Sequence, residues 1–329
     1  MTQDVSIMEF NDNKQHSILV VDDSTVIRKM VVHILENHNY NILQAEDGSK
    51  AIEILQNEKI DFVVTDINMP QVGGFALVKK LHELKLEIPY IMITDADINK
   101  YIELAIELNV GNILSKPIEK SELLNTVYKL LFKKSIFGLQ NYLHIEESKV
   151  KTINISSSEQ CVESVLKIVD SAEEAGLEDD FLSSFRLILS EMAINALYHP
   201  HGFTDKKEER LPVQLREGDK IQIQYGNNDI KFGVSITDFE GKLTKLTILK
   251  SFKEFIDNNE NMIRALEEGK DPTAYLKDKG RGLQLAREMA NEYYFNIKTN
   301  QITEIIILSW LKKKPVEHAS QSIKINEIN

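Results

Sequence analysis

The stretch DFVVTDINMP, residues 61–70, decides the fold of the first half of this chain. Phe62 to Thr65 is a short, almost wholly apolar run that ends in a carboxylate, Asp66. A run without polar alternation suits a strand buried on both faces, as in a parallel sheet flanked by helices. The same pattern repeats on either side. SILVV (17–21) leads into Asp22 and Asp23, IPYIMIT (88–94) ends at Thr94, and GNILS (111–115) ends before Lys116. Amphipathic stretches such as TVIRKMVVHILENH (25–38) and SELLNTVYKLLF (121–132) lie between them. The alternation predicts a doubly wound (βα)5 domain over residues 17–134. Its carboxyl strand ends form the edge where such sheets bind ligands.

That edge gathers acids. Asp22, Asp23 and Asp66 converging on one place would repel one another, and a divalent cation relieves this. Oxygen ligands suit Mg2+. One carboxylate can then attack phosphorus, while a lysine and a hydroxyl hold the oxygens of the incoming group. Lys116 and Thr94 lie at neighbouring strand ends and have the right chemistry.

These residues, with Met69-Pro70, Gly74 and Lys116-Pro117, resemble the receiver domain of a bacterial response regulator. The resemblance implies that Asp66 is the phosphoacceptor and that Asp22, Asp23, Asp66 and the backbone carbonyl of Asn68 hold Mg2+. It further implies a switch role for Thr94, a phosphate-binding Lys116, a cis Lys116–Pro117 bond, and an upstream histidine kinase or phosphotransfer protein as partner. Two positions depart from the family. Ile113 stands where a switch aromatic is usual, and Asp95 follows Thr94 where a small residue is usual.

The whole chain has 329 residues, which fits two domains, and 42% hydrophobic residues, enough for two packed cores. Its single cysteine, Cys161, precludes an internal disulfide and suits a reducing cytoplasm. The formal net charge of -12 disfavours nucleic acid and anionic membrane surfaces as partners. No apolar run approaches the roughly 18 residues of a membrane span. Residues 1–16 read as a flexible leader, 135–150 as a linker and 315–329 as a disordered tail. The linker includes IFGLQNYL (136–143), which could dock on either domain.

Residues 151–314 read differently. A strand, TINIS (152–156), precedes two long helices, and the run KIQIQYGNNDIKFGVSITD (220–238) reads as a hairpin. A charged segment, 242–279, reads as mobile. A helix at 283–292 and two strands close an α+β domain. Within the second long helix, SEMAINALYH (190–199) sets Glu191 and Asn195 one turn apart. A carboxylate there can accept a proton from a hydroxyl, and the amide oxygen can coordinate a Mg2+ that carries phosphates. Alone, such a pair is commonly a solvated polar face. ITDFEG (236–241) adds Asp238, which could accept a hydrogen bond from an adenine amino group, and Gly241. DKGRGLQLAREMA (278–290) adds Gly280 and Gly282 ahead of a helix, where backbone amides can approach phosphates.

The order of these three elements resembles the α/β sandwich ATPase domain of histidine kinases, gyrase-type ATPases and anti-sigma serine kinases. The compactness, and His199 four residues after Asn195, are most similar to the anti-sigma branch. The resemblance implies ATP with Mg2+ as ligand, Glu191 as general base, Asn195 as Mg2+ ligand, Asp238 as adenine anchor and Thr303 as its helper. The turn Asp238-Phe239-Glu240-Gly241 lacks the middle glycine of the family motif. Together the two halves imply a response regulator whose phosphorylation at Asp66 controls a serine/threonine kinase in partner switching. Its partners would be an anti-sigma antagonist or sigma factor, and a homodimer fits both families. The sequence leaves open a non-catalytic module that sequesters its partner, and an ATPase without a protein acceptor.

Overall fold

A computed structural model of the protein describes residues 15–132, 136–275, 281–312 and 322–328. The chain divides into two compact units. The first comprises residues 1–95 and 116–132, and the second 96–115 and 133–329.

In the first unit, β1 (Ser17–Val21), α1 (Thr25–Glu36), β2 (Asn41–Ala45), α2 (Gly48–Asn57), β3 (Phe62–Asp66), α3 (Gly74–Glu83) and β4 (Tyr90–Thr94) follow in order. The strands pair in parallel as β2-β1-β3-β4. All five residues of β3 are buried, as its unbroken apolar run requires. Leu19, Val21, Val63, Leu77 and Leu81 share one core. Ser24 caps α1 by accepting the Ile27 N–H, and Asp47 caps α2 by accepting the Lys50 N–H. These caps start each helix immediately after a strand and so keep the strand ends together. Gly74 opens α3 against the Asp66 carbonyl, where any side chain would collide with backbone.

The chain then enters the second unit with α4 (Ile102–Glu107) and β5 (Asn112–Ser115), and returns to the first with α5 (Lys120–Phe132). All five expected strands and helices are therefore present.

In the second unit, α6 (Gln140–Leu143), β6 (Lys151–Ile155), α7 (Ser158–Glu174), α8 (Asp179–Tyr198), α9 (Thr204–Glu208), β7 (Ile221–Asn227), β8 (Lys231–Asp238) and α10 (Lys245–Glu267) follow β5. They are succeeded by α11 (Arg281–Met289), β9 (Glu292–Lys298), β10 (Ile302–Trp310) and β11 (Ile323–Ile328). The strand order is β5-β11-β9-β10-β8-β7-β6. Every pair is antiparallel except β11 with β9. All eight residues of β8 are buried because both sheet faces are covered. Phe232 meets Phe185 of α8 edge-on, while Gly233 leaves room for Leu139 and Leu143.

Residues 136–143, read as part of a linker that could dock on either domain, dock within the second unit, and two other expectations need correction. Leu139, Tyr142 and Leu143 pack on Tyr294, Ile306 and Leu308, so this segment supplies core. The charged segment 242–279 is not uniformly loose. Thr244 caps a 23-residue helix, α10, which buries Ile248, Leu249 and Phe252. The tail is not disordered over 323–328. Those residues form β11, whereas 315–321 lie outside the described residues. The leader, 1–16, also lies outside them except for its last two residues. Among the described residues, no helix is long and apolar enough to cross a membrane.

Candidate functional site

The first site lies at the carboxyl ends of β1 and β3. Asp22 and Asp66 are buried there, while Asp23 is exposed. Lys116 joins the two buried acids: its Nζ lies 2.5 Å from Asp66 Oδ1 and 3.1 Å from Asp22 Oδ2. The other Asp66 oxygen accepts the Asn68 N–H at 2.6 Å. Asp22 accepts the Ser24 N–H at 2.8 Å. Thr94 is buried, its Oγ1 lies 3.5 Å from the Asn68 amide nitrogen, and its carbonyl accepts the Lys116 N–H at 2.7 Å. The Lys116–Pro117 bond is cis. The strand ends thus bring Asp22, Asp66, Asn68, Thr94 and Lys116 together.

Burial pushes the Asp66 carboxyl above its ordinary value, against the pull of Lys116 and with help from the Asp22 charge. Burial opposes the Lys116 charge too, but Asp66 and Asp22 outweigh it and raise the ammonium. Two adjacent carboxylates with one lysine leave an excess of negative charge. That donor set fits a hard cation bound by few protein oxygens and several waters. Among the described residues, no three acidic, histidine or cysteine side chains form a closed metal cage. Asp22, Asp66 and the Asn68 carbonyl are the groups that could hold Mg2+, with Asp23 at the rim.

Asp95 is exposed beside buried Thr94. A carboxylate there repels an anionic phosphodonor on approach. Removing one charge at this range is worth about 1 kcal/mol in a partly solvated setting. Asp95→Ala is therefore expected to speed phosphorylation by acetyl phosphate about fivefold at low salt, and less at high salt. Identical rates for the two proteins would dismiss this role. Ile113, at the position of the missing aromatic, is buried in β5 opposite Ile323 of β11.

The second site lies wholly within the second unit. Glu191 and Asn195 sit on α8 above a buried stripe of Phe185, Ile188, Met192 and Ala196. Phe181, expected in that stripe, is only half-buried. Gly282 of α11 lies against the pair, and a Cβ there would stand 2.6 Å from Asn195 Nδ2 and 3.4 Å from Glu191 Oε2. Gly280 lies outside the described residues. Asp238, buried at the end of β8, accepts the Gly241 N–H at 2.9 Å and the Glu240 N–H at 3.1 Å. Burial raises its carboxyl, opposed by those two turn amides. Gly241 has a φ of +57° and closes so tightly on the Gln301–Ile302 backbone that no side chain fits. Thr303 faces Asp238 across the β8–β10 pair. Lys242 Nζ donates to the Pro200 carbonyl, which ties this turn to the end of α8. His199 instead contacts Thr204 at 3.1 Å. Sequence reasoning missed Lys207 on α9, whose Nζ donates to Asn195 Oδ1 at 2.5 Å. No spacing rule links it to the α8 pair.

Residues 18–128 match the family described as response regulator receiver domain. The alkaline phosphatase synthesis transcriptional regulatory protein PhoP of Bacillus subtilis (strain 168) is 32% identical over 118 residues, 36% of this chain and 49% of that protein. The CAI-1 autoinducer sensor kinase/phosphatase CqsS of Vibrio cholerae is 35% identical over 117 residues, 34% of this chain and 17% of that protein. Among solved structures, chemotaxis protein CheY4 of Vibrio cholerae is 30% identical over 36% of this chain and 100% of that chain, with a TM-score of 0.34. This chain spans less than half the length of either curated relative. The family match and the acid–lysine cluster coincide on the same residues: residues 18–128 form a response regulator receiver domain with a flavodoxin-like fold.

Proposed function

We propose that the chain is a two-component response regulator, phosphorylated on Asp66 by an upstream histidine kinase or phosphotransfer protein. In this reading the phosphorylation governs an ATP-binding output in residues 151–314. Asp66 Oδ1 attacks the phosphorus of the partner's phosphohistidine, the P–N bond breaks as the P–O bond forms, and the imidazole leaves with the electron pair. Lys116 and Thr94 take up the transferred oxygens, and Asp22, Asp66 and the Asn68 carbonyl would hold the Mg2+, with Asp23 beside them. Bound Mg2+ would offset the charge that gathers on the phosphoryl oxygens.

The output reading is carried by one observation: the convergence of Glu191, Asn195 and Gly282, tied through Lys242 to the turn of Asp238 and Gly241. Residues of this kind divide the work on a nucleotide. Asp238, with Thr303 opposite, meets the adenine amino group. Asn195 would hold the Mg2+ of the phosphates, Gly282 would bring backbone to them, and Glu191 would accept the proton of an attacking hydroxyl. The acceptor would be a serine or threonine on an anti-sigma antagonist, as in partner switching. Lys207 on Asn195, and Phe239-Glu240 in the turn, favour the second reading, a sequestering module without catalysis.

Calorimetry separates the two readings. The full chain is titrated with ATP and Mg2+, with and without beryllofluoride on Asp66. ATP binding that shifts with beryllofluoride is the expected result. No heat from a folded protein in either state would leave the sequestering module.

A further inference from the structure

Lys207 reaches both α8 residues of the nucleotide site. Its Nζ lies 2.5 Å from Asn195 Oδ1 and 3.9 Å from Glu191 Oε2. The short helix that carries it is anchored on the end of α8. The Phe203 N–H donates to the Tyr198 carbonyl at 2.9 Å, and Thr204 contacts His199. Lys206 lies over the Phe203 ring. The lysine is thus held over the site by the backbone, although its own side chain remains 27% exposed.

An ammonium has three donors and no acceptor. Asn195 takes one, and Glu191 is too far for a full bond. Donor capacity therefore remains, and the Gly282 backbone packs directly on the same two side chains, where a Cβ would stand only 2.6 Å from Asn195 Nδ2. Cation, carboxamide and bare backbone together suit an anion, and a lysine serves a phosphate as a mobile point charge. Position along the nucleotide follows from Glu191. A base for the attacking hydroxyl must stand beside the phosphorus under attack, so a cation 3.9 Å from it belongs at the terminal phosphate. Asp238 marks the opposite, adenine end.

We propose that Lys207 binds the γ-phosphate of ATP and makes this site prefer ATP over ADP. This rests on the ATP-binding reading above. Asn195 Oδ1 then acts in two states. In the structure it accepts from Lys207, and with nucleotide bound it would turn to Mg2+ as the ammonium moves onto the terminal phosphate.

The test is calorimetric titration of the full chain with ATP and with ADP in excess Mg2+, for wild type, Lys207→Met and Lys207→Arg. The wild type should bind ATP more tightly than ADP. Lys207→Met should lose about tenfold in ATP affinity, the worth of one charge-assisted hydrogen bond, with ADP affinity changed less than twofold. Lys207→Arg should keep most of the preference, because it retains the charge. Lys207→Gln repeats the measurement if the methionine variant does not fold. Equal weakening of both nucleotides, or an unaltered ATP/ADP ratio, overturns the role of Lys207 and leaves the ATP site standing. A wild type that binds neither nucleotide overturns the ATP reading and this inference with it.

Discussion

Replacing Asp66 with asparagine is expected to abolish phosphoryl incorporation from acetyl phosphate, at least a thousandfold below wild type, without loss of stability. The first half follows from chemistry. An amide oxygen is not a nucleophile toward phosphorus, and among the described residues no other carboxylate takes both Lys116 Nζ and the Asn68 N–H as Asp66 does. The second half follows from the direction of the Asp66 shift. Burial raises its carboxyl in the folded chain, so the folded state holds that proton more tightly than the unfolded state does. The native form therefore gains stability as pH falls through the raised value. At neutral pH, without divalent cations, the buried charge is a cost. Asparagine removes that charge and keeps the shape, although Lys116 retains only Asp22 as an ionic partner. The thermal midpoint in EDTA should stay level or rise. A fall of several degrees would mean that the Lys116–Asp66 pair stabilises the fold more than burial of the carboxylate costs. Residual labelling of the asparagine variant would mean that Asp66 is not the acceptor.

The first site was legible because its chemistry is tied to strand ends. Each apolar run marks a strand, and the polar residue that follows must lie on one edge. The second site was half legible. Glu191, Asn195 and Asp238 sit at positions that helix period and strand end dictate, and the structure brings Gly282 against the first two. Lys207 was not legible, because its approach depends on how the chain turns between Tyr198 and Thr204. The α10 helix was hidden by its many charges, although Ile248, Leu249 and Phe252 recur at helical spacing behind the Thr244 cap. The last strand was hidden by polarity. IKINEI alternates as a strand should, but its polar members face inward. Lys324 is buried over the rings of Tyr293 and Tyr294, and Asn326 donates to Asn296 at 2.9 Å. Neither residue announces a buried partner in the linear sequence.

That strand carries the largest expected effect on stability. Ile325 of β11 is buried, lies beside Phe295 in the parallel β9 pair, and donates its N–H to the Gly111 carbonyl at 2.8 Å. Its own carbonyl accepts from the Asn112 side chain at 3.2 Å. Ile325→Asp puts an unpaired carboxylate among apolar neighbours, at a cost of about 4 kcal/mol. In a unit of this size that lowers the melting midpoint by roughly 8–16 °C. Ile325→Val removes one methylene and should cost only about 1 kcal/mol. Deleting residues 322–329 should lower the midpoint at least as far as the aspartate does. The deletion removes the strand that pairs with β5 on one side and β9 on the other, and it exposes Ile113 and Phe295. Denaturation followed by circular dichroism distinguishes the outcomes. A deletion variant that melts with wild type would make β11 dispensable. A graded loss from valine to aspartate to deletion would establish that the extreme end of the chain holds β5, the fifth strand of the receiver sequence, within the second unit. The Ser115 N–H at the end of β5 donates to Ser322 Oγ at 3.1 Å, a further tie within the second unit that the deletion would remove.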